Sequence, residues 1–127
     1  MKKIVQTDKA PAPIGAYNQA VLSGNTLYTS GQIALDAESG ELVLADIATE
    51  AKKVMENLKA VLEAAEMNFE NVIKASIFLS DMNNFQAVNE VYSTYFNHET
   101  APARECVQVA ALPKFVNVEI SMIAVKG

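Results

Sequence analysis

Apolar and polar residues alternate most cleanly near the C-terminus. From Val116 onward, Val116, Val118, Ile120, Met122 and Ala124 form one apolar row, while Glu119 and Ser121 point the other way, the period-two signature of a strand. Upstream, Arg104 to Ala111 also reads as a strand. Arg104, Cys106, Gln108 and Ala110 fall on one side of it, and Glu105, Val107, Val109 and Ala111 on the other. Leu112-Pro113-Lys114 separates the two runs. If they lie side by side, with Val107 and Val109 on the face of Val118 and Ile120, then Arg104, Cys106 and Glu119 share the opposite face. Charged groups on a covered sheet face need a partner, a ligand or water to offset desolvation. The arrangement therefore marks a candidate site, against the plainer alternative of an Arg–Glu ion pair on a solvated face.

Hydrophobic periodicity predicts the other elements. Ile4-Val5 either starts a strand or ties down the terminus, and Pro11, Pro13 and Gly15 make residues 7–15 a loop. Extended runs at Ala16–Leu22 and Thr26–Ser30 flank Gly24-Asn25 and predict a hairpin. Asp36–Glu41 reads as a turn-rich excursion. A long helix follows, N-capped by Asp46, with Ile47, Ala51, Val54, Met55, Leu58, Val61, Leu62 and Ala65 at helical spacing and Glu50, Lys53 and Glu56 on its polar side. It terminates near Asn68. Val72–Ser80 reads as a mostly buried strand. Asn83 and Gln86 form a capping-box pattern for a second helix that buries Phe85, Val88, Val91, Tyr92, Tyr95 and Phe96.

The predicted order is β-β-β-α-β-α-β-β. It points to an α+β fold with two long helices on one face of a mixed or largely antiparallel sheet. The second face would still carry Cys106, Ala110 and Ile123, which oligomerisation would cover, turning an arginine at a strand's start into part of an interface pocket. The length predicts one domain over residues 1–127.

Composition narrows the function classes. Ten Lys and Arg against fifteen Asp and Glu give a formal charge of −5, with the basic residues scattered, so a nucleic-acid groove has no support. Nothing reads as a signal peptide or membrane span, and the single cysteine excludes an intramolecular disulfide, so the expectation is a soluble cytoplasmic protein.

Arg104 is the strongest candidate. Its planar fork can hold a carboxylate bidentately, or it can pair with Glu119 or Glu99. Glu119 is either that partner or a general base for water. Cys106 reads as a small wall residue rather than a nucleophile, since the only histidine, His98, lies in a separate turn. One His and one Cys make zinc a poor fit. Gly15, Gly24, Gly31 and Gly40 are too dispersed for a phosphate cradle, so no metal or cofactor is expected. Tyr17, Ser30, Gly31 and Asn89 could close a polar pocket, and singly each is ordinary turn or packing chemistry.

Several stretches together resemble the Rid family of reactive-intermediate deaminases, closest to its RidA branch. They are Ala12-Pro13-Ile14-Gly15-Ala16-Tyr17, Thr29-Ser30-Gly31-Gln32, Asn84-Phe85-Gln86-Ala87-Val88-Asn89, Pro102-Ala103-Arg104, the run Val107–Pro113 and Val118-Glu119-Ile120. The resemblance spans nearly the whole chain. It implies a chorismate-mutase-like fold, a homotrimer with pockets between subunits, and hydrolysis of 2-aminoacrylate or 2-iminobutyrate to the 2-oxo acid and ammonia. It further implies that Arg104 holds the substrate carboxylate and Glu119 orients or activates the water. Tyr17, Ser30, Gly31 and Asn89 would line the pocket, and Cys106 would contribute through its backbone and place in the wall. Family members assigned to ligand sensing or regulation give the competing expectation of a 2-oxo acid binding protein. Two positions depart from the common pattern. Ala16 replaces a frequent proline, which loosens the pocket entrance, and Ser121 replaces a second glutamate, leaving Glu119 with one fewer acidic neighbour.

Overall fold

The hairpin forms as expected. Two four-residue strands, β2 (Ala20–Ser23) and β3 (Thr26–Thr29), pair antiparallel in a computed structural model that describes residues 1–127. Gly24 turns the chain at φ 59°, a conformation open to glycine because it has no Cβ to clash. Ile4-Val5 belongs to a true strand, β1 (Lys2–Val5), laid antiparallel on β2. Then come α1 (Ile47–Ala64), β4 (Val72–Leu79), α2 (Phe85–Ser93), β5 (Ala103–Gln108) and β6 (Val118–Val125). The order of elements is the one that the periodicity predicts.

The sheet is mixed, in the order β1-β2-β3-β6-β4-β5, and only β4 and β5 run parallel. This overturns the expected pairing of the two C-terminal strands, because β4 lies between them. The segment β4-α2-β5 is a crossover unit that returns the chain parallel to β4. Leu112-Pro113-Lys114 therefore belongs to a passage across β4 and not to a hairpin.

The register also corrects the faces. Ala75 pairs with Arg104 and with Met122, and Ile77 pairs with Cys106 and with Ile120. Phe78 pairs with Val107 and with Glu119. Directly opposed residues share a face. Arg104 and Cys106 thus lie on the helix-covered face with Ile120, whereas Glu119 and Val107 lie on the open one.

Helix α1 supplies most of the core. Val54, Met55, Leu58, Val61 and Leu62 are fully buried against Val118, Ile120, Met122 and Ala124 of β6, each large side chain contributing about 1.5–3 kcal/mol. Asp46 caps the helix by accepting from the Thr49 amide at 2.7 Å. At the other end Glu66 sits at φ 59°. Its amide donates to Glu63 and that of Met67 to Leu62, both at 2.9 Å, closing a Schellman motif with glutamate where glycine is usual. Asn68 then caps the following 3-10 turn, Phe69–Asn71.

Helix α2 has nine residues and is shorter than expected. Tyr95 and Phe96 lie beyond it, packed edge-on against Phe69. The Asn83–Gln86 capping box does not form. Asp81 instead caps a 3-10 turn, Met82–Asn84, that runs directly into the helix. Both helices cover one face of the sheet. The other carries Tyr28, Ile73 and Val107, which are 50%, 52% and 41% exposed.

Candidate functional site

The predicted site residues fall into two hollows. The first is a cavity of about 480 Å³ walled by residues 11–19, 30–35 and 113–119, among them Tyr17, Ser30, Gly31, Lys114 and Glu119. Where β3 ends, the Ser30 amide donates to the Gln19 carbonyl at 2.9 Å and the Ser30 hydroxyl to the Asn18 carbonyl at 2.5 Å. Gln32 then exchanges both backbone hydrogen bonds with Ile120. These bonds press Gly31 against Glu119. A Cβ on Gly31 would stand 2.6 Å from Glu119 Oε2, so glycine is required by proximity rather than by backbone angle.

Glu119 is half-buried, and no hydrogen bond or ion pair within the chain reaches its carboxylate. Burial pushes its pKa above the ordinary glutamate value. A raised pKa is a property that general-base chemistry on water would require. The phenol of Tyr17 accepts from the Ile14 amide at 3.2 Å across the turn containing Gly15, whose φ is 112°.

Three buried polar side chains outside the predicted set fasten the walls of this cavity. Gln19 accepts from the Thr7 amide and donates to the Thr7, Ala10 and Pro11 carbonyls. Asn57 of α1 donates to the Ile33 and Leu35 carbonyls. Glu50, also of α1, accepts from Asn117 and Val118. Placing Glu50 on the polar side of α1 is thus incorrect: it is 1% exposed. Between Pro113 and Val116 two successive non-glycine residues, Lys114 at φ 54° and Phe115 at φ 55°, adopt left-handed backbone, a cost of about 1–2 kcal/mol each.

The second hollow, about 400 Å³, lies at the sheet's edge and is lined by Asn89, Tyr92, Ser93, His98, Pro102 and Arg104. Arg104 Nη1 donates to Asn89 Oδ1 at 2.6 Å, and the guanidinium carbon lies 5.1 Å from the Tyr92 ring centre and 5.6 Å from that of Phe85. Two aromatic rings and one amide aim the fork. Tyr92 is buried, its hydroxyl has no partner, and burial pushes its pKa up to about 12. No carboxylate pairs with Arg104, because the chain's ion pairs are Lys53–Asp36, Lys74–Glu105 and Lys126–Glu66. The intrachain pairings with Glu119 or Glu99 do not form, and the guanidinium charge is free for an anion.

Cys106 lies two residues along β5 on the face of Arg104. Burial raises its thiol pKa, against a smaller opposing effect of Arg104, which disfavours the nucleophilic thiolate. The structure thus gathers Tyr17, Ser30, Gly31 and Glu119 in one hollow, and Asn89 with Arg104 in the other. No single cavity of one chain holds Arg104 and Glu119 together. No three His, Cys, Asp or Glu side chains converge to hold a metal, and no helix is long and apolar enough to cross a membrane.

Known proteins share this arrangement of chain and fold. The family model described as Endoribonuclease L-PSP matches residues 7–126. The RidA structure from the Antarctic bacterium Psychrobacter superposes with a TM-score of 0.92 at 45% identity, covering 98% of this chain and 99% of that one. The chain belongs to the Rid family. Another Rid relative, the rat 2-iminobutanoate/2-iminopropanoate deaminase, is 51% identical over 127 residues, covering 100% of this chain and 92% of the rat protein. The structure of E. coli TdcF with bound serine covers 98% of this chain and 99% of its own at 43% identity and a TM-score of 0.92.

Proposed function

We propose that this Rid-family chain hydrolyses reactive 2-imino and 2-enamino acids, such as 2-iminobutyrate and 2-aminoacrylate, to 2-oxo acids and ammonia. The reaction takes place in pockets between the subunits of a chorismate-mutase-like homotrimer. One observation carries the reading. An unpaired guanidinium and a carboxylate with raised pKa, the two groups that the chemistry needs, stand in separate hollows of the same chain. A second copy laid on the open sheet face would cover Tyr28, Ile73 and Val107, and the site becomes complete if the Arg104 edge of one chain meets the Glu119 hollow of another. The name of the rat relative supports the substrate class. The serine held by TdcF supports a ligand bearing a carboxylate and an adjacent nitrogen.

Arg104 grips the substrate carboxylate through two parallel N–H···O bonds. An enamine first takes a proton at its β-carbon and becomes the imine. Glu119 removes a proton from water as the oxygen bonds to the carbon of the imine in its protonated, iminium form, and the C=N electron pair moves to nitrogen, leaving a neutral amine. The proton held on Glu119 then passes to that nitrogen, the C–N bond breaks as the hydroxyl oxygen's electron pair forms the carbonyl, ammonia leaves, and the hydroxyl proton returns to the Glu119 carboxylate and on to solvent. The imine carbon is already electrophilic, so positioning and proton transfer suffice without a covalent nucleophile. Tyr17, Ser30, Gly31 and Asn89 line the pocket, and Cys106 completes its wall.

The test generates 2-iminobutyrate with an amino-acid oxidase in the presence of semicarbazide, comparing the protein with Arg104→Ala at matched oligomeric state. Wild type should compete with trapping and the variant should not. If neither accelerates hydrolysis while wild type still binds 2-oxobutyrate, the chain is a binding protein and the enzyme reading fails.

A further inference from the structure

The polar side chains buried in the core are Gln19, Gln32, Glu50 and Asn57, and Glu50 is the only charged one. It stands in the first turn of α1 with no cation beside it. Its Oε2 accepts from the Asn117 amide at 2.8 Å and the Val118 amide at 3.2 Å, and its Oε1 accepts from Asn117 Nδ2 at 2.8 Å. The Asn117 carbonyl in turn accepts from the Ser80 amide at 3.1 Å. All these bonds converge on the short stretch between the strained pair Lys114-Phe115 and Glu119. A buried carboxylate facing three donors is a fastener.

We infer that Glu50 is a positioning residue for the imine hydrolysis proposed above, holding the Glu119 carboxylate against Gly31 by locking Asn117-Val118 against the pull of the strained turn. The inference rests on that reading of Glu119. Without the lock, two left-handed non-glycine residues relax toward ordinary backbone and carry the start of β6 with them. Within the chain, Lys114 and Tyr17 share the cavity with Glu119, and Glu105 on the same sheet face is occupied by Lys74 and Ser76. In the proposed assembly another chain's Arg104 also faces Glu119, so changes in its titration report its displacement relative to solvent and to these two cations, Lys114 and Arg104.

Glutamine can replace the fastener. Its oxygen accepts from both backbone amides, and its NH2 donates to Asn117 Oδ1 once that amide flips, leaving Asn117 Nδ2 to face Ser80. Alanine orphans all three donors.

The experiment measures kcat, KM and the pH profile for 2-iminobutyrate on the intact assembly of wild type, Glu50→Gln, Glu50→Ala and Glu50→Ala/Phe115→Gly, with melting temperature and oligomeric state as controls. Glu50→Gln should stay within about 3-fold of wild type. Glu50→Ala should lose about 100-fold in kcat with little change in KM, because displacement by about 1 Å has that effect on turnover, and its acid limb should shift to lower pH as Glu119 moves into water. Adding Phe115→Gly should recover about 10-fold by removing strain. A folded Glu50→Ala assembly with wild-type kcat and an unmoved acid limb overturns the inference. So does a loss that Glu50→Gln shares in full. If Glu50→Ala does not fold, Asn117→Ala decides by the same two readouts. A carboxyl ¹³C titration of Glu119 reads the displacement without turnover. An inactive wild type would then sink the imine reading, while Glu50 stands or falls on the titration.

Discussion

The two hollows differ in how they hold their charged group. Around Glu119, irregular segments are fixed from behind by Gln19, Asn57 and Glu50, and the carboxylate is pressed against a glycine and makes no ion pair within its chain. Around Arg104, a regular edge strand and a short helix present the guanidinium to solvent, steered by two rings and one amide. The proposed acid–base group, Glu119, is buried enough to shift its pKa, and the proposed anion-binding group, Arg104, is left accessible. Each arrangement suits its half of the chemistry, and neither half is complete alone. The comparison predicts that the two can be broken separately.

The largest effect comes from mixing broken halves. Arg104→Ala and Glu119→Gln should each be inactive alone. If the site lies between copies, unfolding and co-refolding an equal mixture should restore intact pairs at about one site in four, given random assembly. If both residues serve from the same chain, the mixture stays inactive. Iminobutyrate turnover of the reassembled mixture decides between the two.

Next are the single variants. Arg104→Ala loses two charge-assisted bonds of about 1.5–3 kcal/mol each, about 10²–10⁴ in kcat/KM, and Arg104→Lys, which lacks the fork, should be severely impaired too. Both should melt near wild type, because the side chain is exposed. Glu119→Gln should lose about 10²–10⁴ in kcat while still binding 2-oxobutyrate through Arg104. Its stability has a definite sign. Burial raises the folded-state pKa of Glu119 above the unfolded value, so the ionised side chain opposes folding at neutral pH and the penalty vanishes as pH falls through the folded pKa. Glu119→Gln should therefore melt slightly higher than wild type at pH 7, with the gap closing in acid. The same burial raises the acid limb of the wild-type rate profile above the ordinary glutamate range wherever it outweighs the opposing charge of another chain's Arg104. Melting curves and rate profiles across pH check both.

A smaller effect tests the fit around Gly31. A methyl group there collides with the Glu119 side chain from Cγ outward and forces it aside, so Gly31→Ala should fold with a melting temperature a little below wild type. It should lose about 10–100-fold in kcat and keep its affinity for 2-oxobutyrate, measured by calorimetry. Loss of oxo-acid binding would mean that the two hollows are not energetically separate.

Sequence patterning carries the fold a long way and the site only part of it. The element order was legible because both helices and most strands have one buried face, and β5 follows a polar turn and Pro102. Strand order was not, since nothing in the alternation of β5 says that its partner is β4 rather than β6. The face of Arg104 was misread for a related reason: β5 is an edge strand exposed on both sides, where polarity no longer marks inside and outside. Gly31, Ser30 and Tyr17 were found through family resemblance. The fasteners carry a readable signal of their own. Glu50 and Asn57 are seven residues apart and lie on the same stripe as Ile47, Val54, Leu58 and Val61. A polar residue on a core stripe has to be hydrogen-bonded to something. Which segment it holds depends on tertiary contacts alone.

The smallest predicted effect concerns Phe115, which is 85% exposed and left-handed, next in the chain to Lys114 of the Glu119 hollow. In the isolated chain, Phe115→Gly removes strain of about 1–2 kcal/mol and forfeits little packing, against an unfolded-state entropy cost of about 0.5–1 kcal/mol. The net is a gain of about 0.5–1 kcal/mol, or about 3 °C in Tm. The Arg104 hollow has no comparable strain to release. In the assembly the sign depends on what the ring touches. If Phe115 stays in solvent, the variant melts higher at every protein concentration. If a neighbouring copy buries the ring, the loss of apolar contact, about 1.5–3 kcal/mol, outweighs the relief, and the variant melts lower, by an amount that grows as dilution favours dissociation. A Tm series against concentration therefore tells whether the strained turn shapes only its own chain's cavity or also reaches the next subunit.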